Sequence, residues 1–214
     1  HQLYQKQKDN PPIKSWTKLF FWGLFTHPLL DAHTTWGTQL FWPLPYKVAY
    51  HNIFVVDPLY TLPFLSLLIV VLFINRTNPL RSKLTWLGIG ISSFYMFITI
   101  AIKCITLPIF ESSLAKQNIE YSKISTRPTP LNSILWNANI MAKDSIYIGN
   151  YSLFDDPTKL VQFYSIPKDH HLLDGFTDDP KIQRLIYLTQ GWYTVSKIKN
   201  QLFINDLRFG QMGM

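Results

Sequence analysis

Residues 85–109 read TWLGIGISSFYMFITIAIKCITLPI, an apolar stretch whose one charged side chain, Lys103, lies near its far end. About 20 helical residues cross the roughly 30 Å hydrocarbon core of a bilayer. This stretch is long enough to do so, as are two earlier apolar stretches at residues 16–36 and 53–74. The sequence therefore predicts a membrane protein with three transmembrane helices.

The distribution of charged residues divides the chain into two parts. It has 214 residues, of which 47% are hydrophobic and 15% aromatic, and a net charge of +7. Residues 1–110 hold nine Lys and Arg against three Asp and Glu, whereas residues 111–214 hold eleven against ten. This contrast predicts a membrane domain at 1–110 followed by a small α+β extramembrane domain at 111–214. The basic residues flank apolar spans and do not form one face of a folded domain, so nucleic acid is not an expected partner.

The second half carries strand and helix signals of its own. Alternating and β-branched stretches between turn residues are typical of strands, and Asp-Pro before an amphipathic run is typical of a helix start. We expect, in chain order, strands at 132–142, 145–153 and 159–166, a helix at 178–190, and a closing hairpin of residues 191–197 and 201–206.

The basic residues also predict an orientation. Loops rich in Lys and Arg stay in the cytoplasm, and the loop at residues 75–84 contains Arg76, Arg81 and Lys83. With three crossings, residues 111–214 would lie outside, in the periplasm of a Gram-negative cell. The end of the first span and the start of the second span would also lie on the outer side.

The segment at residues 26–43, THPLLDAHTTWGTQLFWP, combines ionisable side chains with membrane-compatible hydropathy. His27 and Asp31 are four residues apart, so on a helix they lie on one face. Ionisable groups at membrane depth tend to be functional, and imidazole and carboxylate are common metal ligands. The pair is therefore a candidate metal or proton site, with a structural polar pair between helices as the alternative. Asp57 is a candidate third ligand or general base, or else only a helix cap.

Other polar residues are candidates for substrate binding. Near the pair these are Thr34, Thr35 and Gln39, whose alternative role is to satisfy backbone groups at the helix end. In the second half, PTPLNSILW and NDLRFG are candidate lids, with Asn132 and Arg208 as their polar contributors. Arginine grips phosphate or carboxylate in a bidentate manner, although a salt bridge from Arg208 to an Asp of its own domain is an equal alternative.

The strings THPLLDAHTTWGTQLFWPL and IFVVDPLYTLPF resemble the YdjM-type family of bacterial inner-membrane proteins, whose members are described as metal-dependent hydrolases and as LexA-regulated or LexA-binding. The resemblance implies that His27 and Asp31 are metal ligands. The family also has upstream Pro-Asp-x-Asp and His-Arg-x-x-x-His motifs, which this sequence lacks. We therefore interpret the chain as the C-terminal part of a longer protein, in the family's long form with an extra C-terminal domain.

Together these observations predict a membrane-bound hydrolase at the outer face of the inner membrane. Its cofactor would be a divalent metal, most simply zinc, which generates hydroxide from bound water. Its partners would be the lipid bilayer and a lipid or lipid-linked substrate. The alternative is a non-enzymatic inner-membrane subunit whose periplasmic domain binds a membrane-protein partner.

Overall fold

The computed structural model describes residues 11–209. By its internal contacts the chain divides into two compact units between Tyr50 and His51. The sequence-based division into residues 1–110 and 111–214 stays a prediction.

The first unit is a helix followed by a short closed loop. Helix α1 spans Ile13–Asp31 and buries none of its side chains within the unit. After the helix, Thr38 pairs with Val48 in an antiparallel bridge, and the Tyr50 amide donates to the Ala32 carbonyl over 2.7 Å. The loop turns at Gly37, where φ is +61° and an added Cβ would lie 2.5 Å from the Val48 carbonyl oxygen. Only glycine fits this turn without strain.

The second unit begins with a helical hairpin. Helices α2 (Pro58–Phe73) and α3 (Pro79–Lys116) pack against each other, and each starts with a proline after a capping Asx residue, Asp57 or Asn78. This is the expected start signal, because the cap accepts backbone N–H groups and proline at the first helical position needs no acceptor.

A four-stranded antiparallel sheet follows, in the order β1-β2-β3-β4. A two-stranded hairpin, β5-β6, forms a second sheet. The elements are β1 (Lys123–Pro128), β2 (Leu135–Met141), β3 (Ser145–Ser152), β4 (Phe163–Pro167), a short 3₁₀ turn (His170–Leu173), α4 (Pro180–Thr189), β5 (Tyr193–Ile198) and β6 (Gln201–Asp206). The strands and the helix expected in this part of the sequence are present, whereas β1 was not predicted.

The prediction of three transmembrane helices is wrong. Within residues 11–209, the structure contains one helix that is long and apolar enough to cross a membrane, α3, and only 17% of its apolar window is buried. Helix α2 is apolar but only 16 residues long, because it begins at Pro58 and ends before the loop that starts at Ile74. Helix α1 has 19 residues, but its lysines and the polar residues of its last turns lower its hydropathy.

Helix α3 also continues beyond the predicted end at residue 109. Its last turns place Phe110 and Leu114, both fully buried, in a core with apolar side chains of the four-stranded sheet. The sheet partners in this core are Trp136, Ala138, Ile140 and Tyr151. The same helix therefore carries the apolar stretch and anchors the sheet.

Candidate functional site

The predicted pair of His27 and Asp31 lies in the last turns of α1. The His27 Nε2 and Asp31 Oδ2 atoms are 3.4 Å apart, and the two side chains are 77% and 45% exposed. The expectation from their spacing, that both lie on one helix face, is confirmed. The two groups are close enough to share a proton or to bind one ion together.

Of the polar residues that follow the pair, Thr34 forms a hydrogen bond at the end of the helix. The Thr34 hydroxyl donates to the Asp31 carbonyl over 2.8 Å, so it satisfies one of the carbonyls that a helix end leaves open. Thr35 is half-buried and Gln39 is exposed. His33 packs its ring on Tyr50, with the ring centres 5.1 Å apart. A substrate-binding role for Thr34, Thr35 and Gln39 stays a prediction.

Asp57 is the hub of a buried hydrogen-bond cluster in the second unit. Its side chain is 1% exposed, and its Oδ1 accepts the backbone N–H groups of Leu59 (2.9 Å) and Tyr60 (3.4 Å) as the cap of α2. Its Oδ2 accepts the hydroxyls of Tyr95 (2.8 Å) and Ser133 (2.9 Å). The two hydroxyl oxygens are themselves 2.8 Å apart.

These bonds constrain the chemistry of Asp57. An ionised carboxylate offers about four lone-pair sites, and four donors already occupy them. A metal or a reacting proton could reach this carboxylate only if one of the bonds were given up. The role of Asp57 as a ligand or general base stays a prediction, and the observed bonds are those of a cap and a cross-link between α2, α3 and the β1–β2 loop.

A second polar contact lies beside this cluster. The Asn52 side-chain amide donates to the Thr99 hydroxyl over 2.8 Å, and both residues are fully buried. Sequence reasoning did not identify Asn52, Tyr95, Thr99 or Ser133. One signal was available: the hydroxyl residues Ser92, Thr99, Thr106 and Ser113 recur every seven residues, which is about two helical turns, and all four are buried.

The two predicted lid residues make local contacts. The Asn132 side-chain oxygen accepts the backbone N–H groups of Ile134 and Leu135, and its amide donates to the Thr129 hydroxyl. Arg208 forms a salt bridge with Asp206, with Nη2 and Oδ2 2.6 Å apart. This salt bridge is the structural alternative considered for Arg208. Substrate binding by Asn132 and Arg208 stays a prediction.

The metal-binding groups in the described structure are few. In neither unit do residues 11–209 contain a group of three or more His, Cys, Asp or Glu side chains placed to hold a metal ion. A catalytic zinc site usually uses three protein ligands. His27 and Asp31 can therefore provide two ligand positions, and a complete site needs at least one more.

The second unit thus combines one helix long and apolar enough to cross a membrane with a β-sheet domain that packs on the end of that helix. A model of the YdjM inner membrane protein family matches residues 2–105, so this part of the chain is similar to that family. The match supports a location in the inner membrane. The family match ends within α3 and does not include the β-sheet domain. Comparison with curated proteins and with solved structures found no match.

Proposed function

We propose that this protein is a membrane-bound, metal-dependent hydrolase that acts at the outer face of the inner membrane on a lipid or lipid-linked substrate. The observation that carries the proposal is the adjacent imidazole and carboxylate of His27 and Asp31. Ligand atoms bound to one zinc ion at about 2 Å lie some 3–4 Å apart. The 3.4 Å separation fits two ligands of one ion.

The roles of the residues follow from their chemistry. His27 and Asp31 would hold a divalent metal, with zinc suited to this nitrogen and oxygen donor set. When bound, such a metal lowers the pKa of a coordinated water and supplies hydroxide for hydrolysis. Thr35 and Gln39 follow the pair in sequence and would donate hydrogen bonds to a substrate head group. In the second unit, Asn132 and Arg208 stay candidates for substrate binding, and Asp57 could act as a base only after losing one of its present bonds.

The proposed periplasmic location of the β-sheet domain rests on charge and on the helical hairpin. The basic loop with Arg76, Arg81 and Lys83 joins α2 to α3. The β-sheet packs against the opposite end of α3, at Phe110 and Leu114. If α3 crosses the membrane, the basic loop and the sheet lie on opposite sides, and the positive-inside rule assigns the sheet to the periplasm.

Metal analysis tests the enzyme proposal. We expect the purified wild-type protein to retain about one divalent metal per chain, and the His27→Ala and Asp31→Ala variants to lose it, because each removes a ligand. His33→Ala is the matched control: it removes a nearby imidazole that packs on Tyr50 and should leave the metal content unchanged. Metal that persists in His27→Ala, or its absence from the wild type, would contradict the proposed site.

Cysteine labelling tests the orientation. In a Cys104→Ser background, a membrane-impermeant maleimide should label Lys143→Cys, in the exposed β2–β3 turn, in spheroplasts with an intact inner membrane. It should label Thr77→Cys, in the basic loop, only after the membrane is broken, because this loop is expected in the cytoplasm. The reverse pattern of labelling would place the β-sheet domain in the cytoplasm.

The second candidate function is a non-enzymatic subunit whose β-sheet domain binds a membrane-protein partner. Large apolar side chains exposed on this domain favour it, including Phe154 (84% exposed) and Tyr187 (79% exposed). Exposed aromatic side chains are enriched at protein interfaces. A wild-type protein without bound metal, with the Asp57 cluster intact, would support this function over hydrolysis.

A further inference from the structure

The loop between β1 and β2, residues 129–134, is fixed to the side of the apolar helix α3. The Ser133 hydroxyl oxygen lies 2.8 Å from the hydroxyl oxygen of Tyr95 on α3, and it donates to Asp57 over 2.9 Å. Ser133 is buried, so these bonds hold the loop in place. Tyr95 belongs to the apolar stretch at residues 85–109. The loop therefore lies beside this stretch, at the level of Tyr95.

The level of Tyr95 along α3 corresponds to a membrane boundary if the helical hairpin enters the bilayer, as the family match supports. From Pro79, where α3 begins, to Tyr95 the helix rises about 24 Å. A crossing that ends there is slightly shorter than the roughly 30 Å hydrocarbon core. A crossing that continues to Lys103 ends about 12 Å further along the helix. With either boundary, the β1–β2 loop lies at or just below the surface of the hydrocarbon core.

The side chains around Ser133 suit such a position. Leu131 is 58% exposed, Ile134 is 37% exposed and Leu135, the first residue of β2, is 38% exposed. No charged side chain occurs in the sequence from residue 128 to residue 142. The backbone of Leu131 is in the left-handed region, with φ at +64°, a conformation that is costly for a bulky residue and easy for glycine. Backbone strain of this kind is most often found where it serves a function.

Several backbone polar groups of the loop are satisfied within the loop itself. The Asn132 side-chain oxygen accepts the N–H groups of Ile134 (3.0 Å) and Leu135 (2.8 Å). The Thr129 N–H donates to the Leu135 carbonyl over 2.9 Å, and Pro130 has no N–H to satisfy. Unpaired backbone groups are costly away from water. These internal bonds therefore lower the cost of moving the loop into lipid.

We propose that the β1–β2 loop is a membrane-inserting element, in which Leu131, Ile134 and Leu135 contact lipid acyl chains just below the head groups. The exposed apolar surface of α3 reaches the same level, since Phe94, next to Tyr95, is 67% exposed. The loop and the helix thus present one lipid-facing surface, and the loop holds the β-sheet domain at the membrane. The inference requires that α3 enters the bilayer, but it depends neither on hydrolase activity nor on the side of the membrane.

Fluorescence quenching by lipids tests the insertion. The full chain with Cys104→Ser carries one cysteine labelled with the environment-sensitive fluorophore NBD, in vesicles of phosphatidylethanolamine and phosphatidylglycerol. Reporters at Leu131→Cys and Ile134→Cys should emit at shorter wavelength than in water. They should lose most of their fluorescence to nitroxide lipids labelled near the head group, and less to lipids labelled near the end of the acyl chain. Trp86→Cys, at an exposed position of α3, is the control inside the bilayer; Lys143→Cys, beyond the opposite end of β2, should not be quenched.

Leu131→Gly tests the side chain with little risk to folding, because glycine adopts the left-handed backbone of this position readily. Its unfolding midpoint in detergent micelles should equal or exceed that of the parent protein. In vesicles, the Ile134→Cys reporter in this background should lose a large part of its quenching, because the most exposed apolar side chain of the loop is gone. Unchanged quenching would show that Leu131 does not hold the loop in lipid.

The outcomes separate lipid from other occupants of this surface. Loop reporters that emit at shorter wavelength but are quenched by neither set of lipids would be covered by protein, a second copy of the chain or a partner, and would overturn the inference. Loop reporters that behave like Lys143→Cys while Trp86→Cys is quenched would also overturn it, and would place the loop in water. If Trp86→Cys is not quenched either, α3 does not enter the bilayer and the inference fails with that premise. If Leu131→Cys does not fold, Ile134→Cys decides.

Discussion

Phe110→Ala is expected to lower the free energy of unfolding by about 3–5 kcal/mol, as truncation of a buried phenylalanine usually does. Phe110 is fully buried, and its ring meets that of Tyr151 edge-on, with centres 6.2 Å apart. It belongs to the cluster that joins the end of α3 to the sheet. The cavity would therefore loosen the link between the apolar helix and the β-sheet domain. Thermal or denaturant unfolding in detergent, followed by near-UV circular dichroism, measures the loss.

Phe97→Ala provides a matched control for this prediction. It is the same substitution in the same helix, but Phe97 is 70% exposed, so its removal opens no cavity in the protein core. We expect its unfolding midpoint to stay close to that of the wild type. Equal losses for the two variants would show that Phe110 is not part of a packed core.

Asp57→Ala is expected to lower the free energy of unfolding by about 2–4 kcal/mol. The substitution removes the cap of α2 and leaves the hydroxyls of Tyr95 and Ser133 without their common acceptor. The Asp57 side chain is only 1% exposed, so water cannot easily replace the lost hydrogen bonds. The unfolding midpoint in detergent measures the change.

Asn78→Ala separates the two effects in Asp57→Ala. Asn78 caps α3 before a proline in the same way, but its side chain accepts the Leu80 N–H at an exposed position. Loss of a cap of this kind costs about 1 kcal/mol. A larger loss for Asp57→Ala would therefore measure the cross-link to Tyr95 and Ser133. If the two variants lose the same stability, Asp57 is only a helix cap.

Local sequence patterns predicted several parts of the structure correctly. The spacing of His27 and Asp31 placed both side chains on one helix face, because that periodicity is a property of the helix itself. The Asp179-Pro180 pair marked the start of α4 for a similarly local reason. The strands at β2, β3, β5 and β6 were recognisable from alternation and from the turn residues between them.

Hydropathy alone overestimated the number of spans. It treated residues 16–36 and 53–74 as complete crossings because their average composition is apolar. The helices that form are limited by their caps and turns: α2 begins only at Pro58, and α1 ends at Asp31, where Thr34 binds a terminal carbonyl. Helix length depends on where the backbone hydrogen bonds begin and end, and average hydropathy does not record this.

The sequence by itself determined the elements whose causes are local: the apolar stretch of α3, the Asp-Pro start of α4, the His27–Asp31 face and most of the strands. The tertiary structure decided which distant groups meet. Ser133 reaches Asp57 from 76 residues away, and Thr99 reaches Asn52 from 47 residues away. Such contacts depend on strand register and on the packing of the sheet against α3. A single sequence carries the spacing of residues along the chain, and only the folded backbone sets the distances between residues far apart in it.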